Sequence, residues 1–216
     1  MSTDRSPEPY ETYEEAAEAL LASSDASEAA TRLLSSWVRA EERAERAEAE
    51  ASIDALTGAA SRRQWEHAVL VEEQRCSRSG RTTCVVAIDL DGLKAVNDTL
   101  GHQAGDELLR AAATALDSAT RTIDVVARVG GDEFAVLAVD TDLATARVLT
   151  ARLAEALATA GVEASLGLAE RSPETGLLEA WAKADHRMYT TKRRRAAQAM
   201  DPDAVSARTN TPSPTL

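Results

Sequence analysis

Apolar and polar positions change rhythm twice along this chain. Upstream, Thr12 with Glu15 reads as a capping box that opens a short helix through about Ala22, and Asp25 with Glu28 repeats the signal. From there the sequence is rich in Ala, Glu and Arg, with no Gly or Pro until Gly58. Ala30, Leu33, Trp37, Ala40, Ala44, Ala47 and Ala51 fall at alternating steps of three and four, flanked by Glu41, Arg43, Glu48 and Glu50. That spacing predicts a helix that pairs with another helix. After Gly58 the segments shorten. Residues 61–77, 93–99, 103–119, 142–160 and 176–195 read as helices. Thr82–Ile88, Val125–Val129, Phe134–Val139 and Val162–Ala169 read as strands. The second and third strands flank Gly130-Gly131, a hairpin signal based on two residues free to take positive φ.

This order predicts an α+β domain, an α/β sandwich of helices around one sheet. Residues 1–10 read as disordered, 11–52 as a helical dimerisation segment, 53–196 as the main domain and 197–216 as a flexible tail. Pro202–Leu216 is rich in Ser, Thr and Pro.

Composition narrows the function. The chain has 216 residues, 44% hydrophobic, and a net charge of −12. Residues 1–52 carry 13 acids against 5 bases, and residues 53–216 carry 23 against 19. Such an acidic chain, with 3% aromatic residues, does not suit a nucleic-acid backbone. A phosphate-bearing ligand would need a metal or a local cluster of bases. No apolar run approaches the ~20 residues that span a bilayer, and Met1–Tyr10 lacks a signal-peptide core. The expectation is a cytoplasmic protein without membrane contact, with Cys76 and Cys84 as reduced thiols.

Two acidic elements carry the candidate chemistry. Asp89-Leu90-Asp91 follows the first strand, and side chains two apart on a strand share a face. Carboxylates at a strand end commonly hold Mg²⁺ beside a phosphate. A calcium loop fails, because Gly92 comes two positions early and Leu100 stands where the closing Glu belongs. The second element is Gly130-Gly131-Asp132-Glu133-Phe134. Adjacent acids held at a tight turn repel one another unless a cation sits between them.

These residues bring a resemblance with them. Arg128-Val129-Gly130-Gly131-Asp132-Glu133-Phe134 resembles the signature of the GGDEF family of diguanylate cyclases. Asp54-Ala55-Leu56-Thr57-Gly58 with Arg62-Arg63 looks like the motif that opens the family's domain. Asp89 to Lys94, then Asn97-Asp98, Gly101-His102 and Gly105-Asp106, look like its substrate motif. Ser165-Leu166-Gly167 and Ala184-Asp185 through Tyr189 to Lys192 resemble its closing strand and helix. The likeness covers about residues 53–195.

The resemblance implies a nucleotide-cyclase-like palm with a central, mostly antiparallel sheet flanked by helices. It implies condensation of two GTP into cyclic di-GMP by a homodimer, one GTP per protomer. Asp89, the Leu90 carbonyl, Asp132 and Glu133 would hold Mg²⁺ or Mn²⁺, two ions per half-site. Asn97 and Asp106 would read guanine. The backbone of Gly92 and Leu93, with Lys94, Lys192 and Arg128, would meet the phosphates. The family usually places a second base four residues after the Lys. Here that position is Ala196, and Arg195 stands one residue short. Leu93 replaces the usual Phe. His102 reads as structural. Arg121-x-x-Asp124, six residues before Gly130, resembles the family's inhibitory product site, with Arg152 as a further contact. The N-terminal helices are a candidate surface for a regulatory protein. The rival expectation is a silent domain that binds GTP or cyclic di-GMP; the presence of Asp89, Asp132 and Glu133 favours an enzyme.

Overall fold

A computed structural model describes residues 30–40 and 52–199. The chain divides into two compact units, Met1–Glu50 and Ala51–Leu216. In the first, residues 30–40 are helical, with Leu34, Trp37 and Val38 exposed. The expected helix starts at Thr12 and Asp25, the heptad positions Ala44, Ala47 and Ala51, and the tail from Pro202 lie outside the described residues.

The second unit runs α1 (Arg62–Ser79), β1 (Cys84–Leu90), α2 (Leu93–Leu100), α3 (His102–Ser118), β2 (Val125–Arg128), β3 (Glu133–Ala138), α4 (Leu143–Thr159), β4 (Ala164–Glu170) and α5 (Gly176–Ala199). Local chemistry sets several ends. The Ser61 hydroxyl accepts from the Gln64 N–H at the start of α1, and Asp142 does the same for Thr145 at the start of α4. Gly80, left-handed at φ 68°, closes α1.

The four strands form one antiparallel sheet in the order β2-β3-β1-β4. Val86 and Ile88 of β1, with Phe134 and Val136 of β3, pack against Leu109 and Leu116 of α3 and Leu149 and Leu153 of α4. Val85 and Ala87, with Ala135 and Leu137, face Trp65 and Val69 of α1 and Leu177, Ala180 and Ala184 of α5. With helices on both faces, β1 is buried throughout, which is why Cys84–Ile88 reads as an unbroken apolar run before Asp89. No described helix is long and apolar enough to cross a membrane. Cys76 and Cys84 are free thiols, as expected, and both are buried.

The expected elements form, with three differences that bear on the site. β1 continues through Leu90, and β3 begins at Glu133, so both acidic elements enter the ladder itself. α5 runs to Ala199 rather than stopping near 195. The hairpin forms, but neither Gly130 nor Gly131 has positive φ. Gly130 instead leaves room for Glu133, whose carboxylate would have to shift to admit a Cβ there.

One ion pair sets the entry of α5. The Glu73 carboxylate accepts from the Leu177 N–H at 2.7 Å, in the first turn of α5, and from the mostly buried Arg171 guanidinium. Arg171, acting against the cost of burial, holds the Glu73 pKa down at about 2 from the usual 4.5, with Leu177 and Ser77 helping. A depressed carboxylate pKa gives stability that is full above the unfolded value and lost as pH falls through the folded one. Glu73→Gln should therefore unfold at lower urea than wild type near neutrality. That gap should shrink from about pH 4.5 and close near pH 2. Urea midpoints of both proteins across that range would measure it, and a gap independent of pH would exclude the assigned ion pair.

Candidate active site

The site is assembled by strand register. Asp89 of β1 lies directly opposite Glu133 of β3 on one side and Ser165 of β4 on the other. The Leu90 N–H donates to the Asp132 carbonyl at 3.0 Å, which stitches the turn to the end of β1. Val129 and Gly130 both donate their N–H to the Glu133 carbonyl. Asp89, Asp132 and Glu133, more than forty residues apart in sequence, thus meet at one end of the sheet.

Their electrostatics follow from crowding. Burial pushes the Asp89 pKa up, and the neighbouring Asp132 and Asp91 push the same way, against the opposing pull of Lys192. Burial also raises Glu133, with Asp132, Asp89 and Asp185 adding repulsion and Arg62 opposing it. No three His, Cys, Asp or Glu side chains among the described residues are already gathered as a ligand set. A cation stands at Asp89: the Lys192 Nζ lies 2.5 Å from its carboxylate, and the Asp89 side chain is 9% exposed. Burial disfavours that ammonium, but Asp89 outweighs it and raises the Lys192 pKa. Hard oxygen donors under mutual repulsion, with a charge already drawn to them, fit a divalent cation.

The expected guanine readers also come together. Asn97 lies on α2, and Asp106 lies in the first turns of α3. The Asn97 Oδ1 is buried without a hydrogen-bond partner in the protein. It presses against Gly105, where a Cβ would collide with it. Asp106 is half-exposed and makes a loose ion pair at 4.0 Å with Arg110. Gly92, at φ 81°, turns the chain into α2. Leu93 there is buried, which accounts for an apolar residue at that place, and Lys94 is exposed. His102 is exposed at the start of α3.

Two of the expected phosphate-binding bases already have protein partners. Arg128 donates to the Gly131 carbonyl and to Asp54, and so braces the turn. Arg195 pairs with Asp91 at 3.0 Å and donates to the Ala164 carbonyl. Asp91 also accepts from the Ser165 hydroxyl. Sequence reasoning gave no role to Asp54, Ser165 or Arg62, whose guanidinium donates to the Val129 carbonyl. Asp54 and Arg62 were visible only as parts of a motif. Their partners lie 74 and 67 residues away, and no local pattern marks such pairings.

The expected product site is brought together in part. Arg121 and Asp124 form a closed local pair, through the Arg121 backbone N–H at 2.9 Å and its guanidinium. The Asp124 side chain is fully buried and also accepts from the Val139 N–H. Its carboxylate is therefore engaged by protein groups in this structure. Arg121 remains half-exposed. Arg152 donates to the Ala119 carbonyl, two residues before Arg121, in the groove between α3 and α4.

An antiparallel sheet with acids at one end of its two central strands, and bases from the last helix paired with them, defines an α+β palm-like domain. Residues 51–198 match the family described as "Diguanylate cyclase, GGDEF domain", and the chain belongs to that family. It is 35% identical over 149 residues to the probable diguanylate cyclase DgcC of Escherichia coli, covering 65% of this chain and 40% of that relative. It thus spans well under half of that protein. Among solved structures it resembles the diguanylate cyclase SiaD of Pseudomonas aeruginosa, in complex with its activator SiaC. The TM-score is 0.64 at 30% identity, over 84% of this chain and 76% of that one. It also resembles the coiled coil and GGDEF domain of Caulobacter crescentus DgcB in complex with c-di-GMP. There the TM-score is 0.66 at 26% identity, over 76% of this chain and 93% of that one.

Proposed function

We propose that this protein is a diguanylate cyclase, joining two GTP molecules into cyclic di-GMP with release of two pyrophosphates. The observation that carries this reading is the meeting of Asp89, Asp132 and Glu133 through the β1–β3 register, on a chain of the GGDEF family. Asp89, the Leu90 carbonyl, Asp132 and Glu133 hold the divalent cations, Mg²⁺ or Mn²⁺. When bound, such ions polarise the α-phosphate and ease ionisation of the attacking 3′-hydroxyl.

The chain's own groups do the rest. The orphaned Asn97 Oδ1 and the half-exposed Asp106 accept from the guanine N1–H and 2-amino group. Adenine has no such donor pair, and a buried acceptor left unmade costs about 1–3 kcal/mol. The N-terminus of α2 at Gly92, Leu93 and Lys94 offers free backbone N–H groups to phosphate oxygens. Lys94 and Lys192 neutralise the outer phosphates. Glu133, placed among these acids by the β1–β3 register, takes the proton of the 3′-hydroxyl.

Each GTP supplies one nucleophile and one electrophile, so a protomer with one GTP is half a site. A twofold homodimer brings the halves face to face. The exposed Trp37 on the helical residues 30–40 supports pairing through that segment, as does the coiled coil of the DgcB structure. The SiaD–SiaC complex supports a regulatory protein as a further partner. Product inhibition rests on Arg121 with Arg152, Asp124 holding Arg121 in place.

Incubation with GTP or ATP and Mg²⁺, followed by chromatography, tests the proposal. GTP should yield cyclic di-GMP, ATP should be left intact, and EDTA should stop the reaction. Equal consumption of ATP would sink the assigned guanine pocket. Binding of GTP without any product would instead make this a silent regulatory domain.

A further inference from the structure

The last helix places two bases over two acids. Lys192 and Arg195 are three residues apart, one helical turn, and both point to the end of β1. Lys192 takes Asp89, and Arg195 takes Asp91. Arg195 is fixed a second time by its bond to the Ala164 carbonyl in β4. The helix is thus bolted at Arg195 whatever Lys192 does. Lys192 has one ion-pair partner, a half-exposed side chain and a flexible stem.

We infer that Lys192 is an exchangeable placeholder on Asp89, which a divalent cation displaces only when a nucleotide phosphate offers the ammonium a new partner. The inference rests on the function proposed above. A divalent ion bound by Asp89 would stand within a few ångströms of the ammonium, and like charges in a partly buried site repel strongly. Ion and ammonium therefore exclude one another on this carboxylate. Phosphate resolves the conflict, because Lys192 can turn from Asp89 to an oxyanion without any movement of the helix that Arg195 holds. Metal and nucleotide then bind with positive coupling, and linkage makes that coupling reciprocal. The unusual position of Arg195 acquires a reason: it anchors the turn from which Lys192 swings, and it is not a second phosphate ligand.

Mn²⁺ titration of the full-length protein, read from the electron paramagnetic resonance of the free ion, tests this without turnover. It is run with no nucleotide and again with a non-hydrolysable GTP analogue. Lys192→Met should bind Mn²⁺ about tenfold tighter than wild type when nucleotide is absent, at the low end of typical coupling. The boost that the analogue gives to Mn²⁺ binding should shrink in this variant. Lys192→Arg retains a cation and should keep the weak binding of wild type. If Lys192→Met does not fold, Lys192→Gln serves in its place, with circular dichroism as the check. Unchanged or weaker Mn²⁺ binding in the folded neutral variant would overturn the inference while leaving the proposed function standing. A wild type that binds neither Mn²⁺ nor the analogue, even together, would remove both.

Discussion

Glu133→Gln is expected to remove at least about a hundredfold of the cyclase rate while leaving the fold intact, since proton transfer by a positioned side chain is typically worth 10²–10⁴. The substitution keeps the volume and removes the charge. Glu133 is only partly buried, its backbone holds the ladder to Asp89, and its carbonyl accepts from Val129 and Gly130. None of those bonds involves the carboxylate. Its neighbours Asp132, Asp89 and Asp185 repel it, so losing the charge should leave thermal stability equal or slightly higher. Rate and melting temperature measured on one preparation separate the two effects. Near-normal turnover would exclude this carboxylate from the chemistry. A large fall in melting temperature would make its role structural.

The second large effect is expected at a residue with no polar chemistry. Gly167, in the middle of β4, faces α5 so closely that a Cβ would lie less than 3.0 Å from the Ala184 carbonyl oxygen and from the Met188 nitrogen. These are backbone atoms of a helix and cannot rotate aside as a side chain would. Gly167→Ala should therefore push α5 off the sheet. Overpacking costs roughly 1–3 kcal/mol, and rigid backbone neighbours place this case at the upper end, about 3 kcal/mol. Lys192 lies one turn beyond Met188, so the displacement should also loosen its hold on Asp89. Denaturant unfolding would register the loss. A midpoint within error of wild type would mean that strand and helix are not in direct backbone contact at this position.

The two expectations illustrate different degrees of legibility in the sequence. Glu133 could be chosen from the order of residues, because two acids behind a Gly-Gly turn are rare without a cation to bind. Gly167 could not. It stands in a motif, Ser165-Leu166-Gly167, but nothing local distinguishes a glycine needed for close approach from one that merely ends a strand. Gly130 marks the same boundary. Its hairpin was readable, yet the glycine has no positive φ and instead lies against the Glu133 side chain.

What the sequence by itself determined is what short-range physics controls. The helices near 61 and 142 and the buried apolar strand at Thr82–Ile88 follow from local pattern, and capping by Ser61 and Asp142 is the local chemistry behind the two helix starts. The acids Asp89, Asp132 and Glu133, and the candidates Asn97 and Asp106, were legible as motifs for the same reason, since each motif is compact in sequence. Only the tertiary structure decided who faces whom. Lys192 meets Asp89 across 103 residues, and Arg128 meets Asp54 across 74. Asp124, expected in a product site, is sealed by Arg121 and Val139. Such pairings depend on strand register and on the height at which a helix lands on the sheet. Both are set by the packing of the whole core and leave no periodic trace in the residues that make the contact.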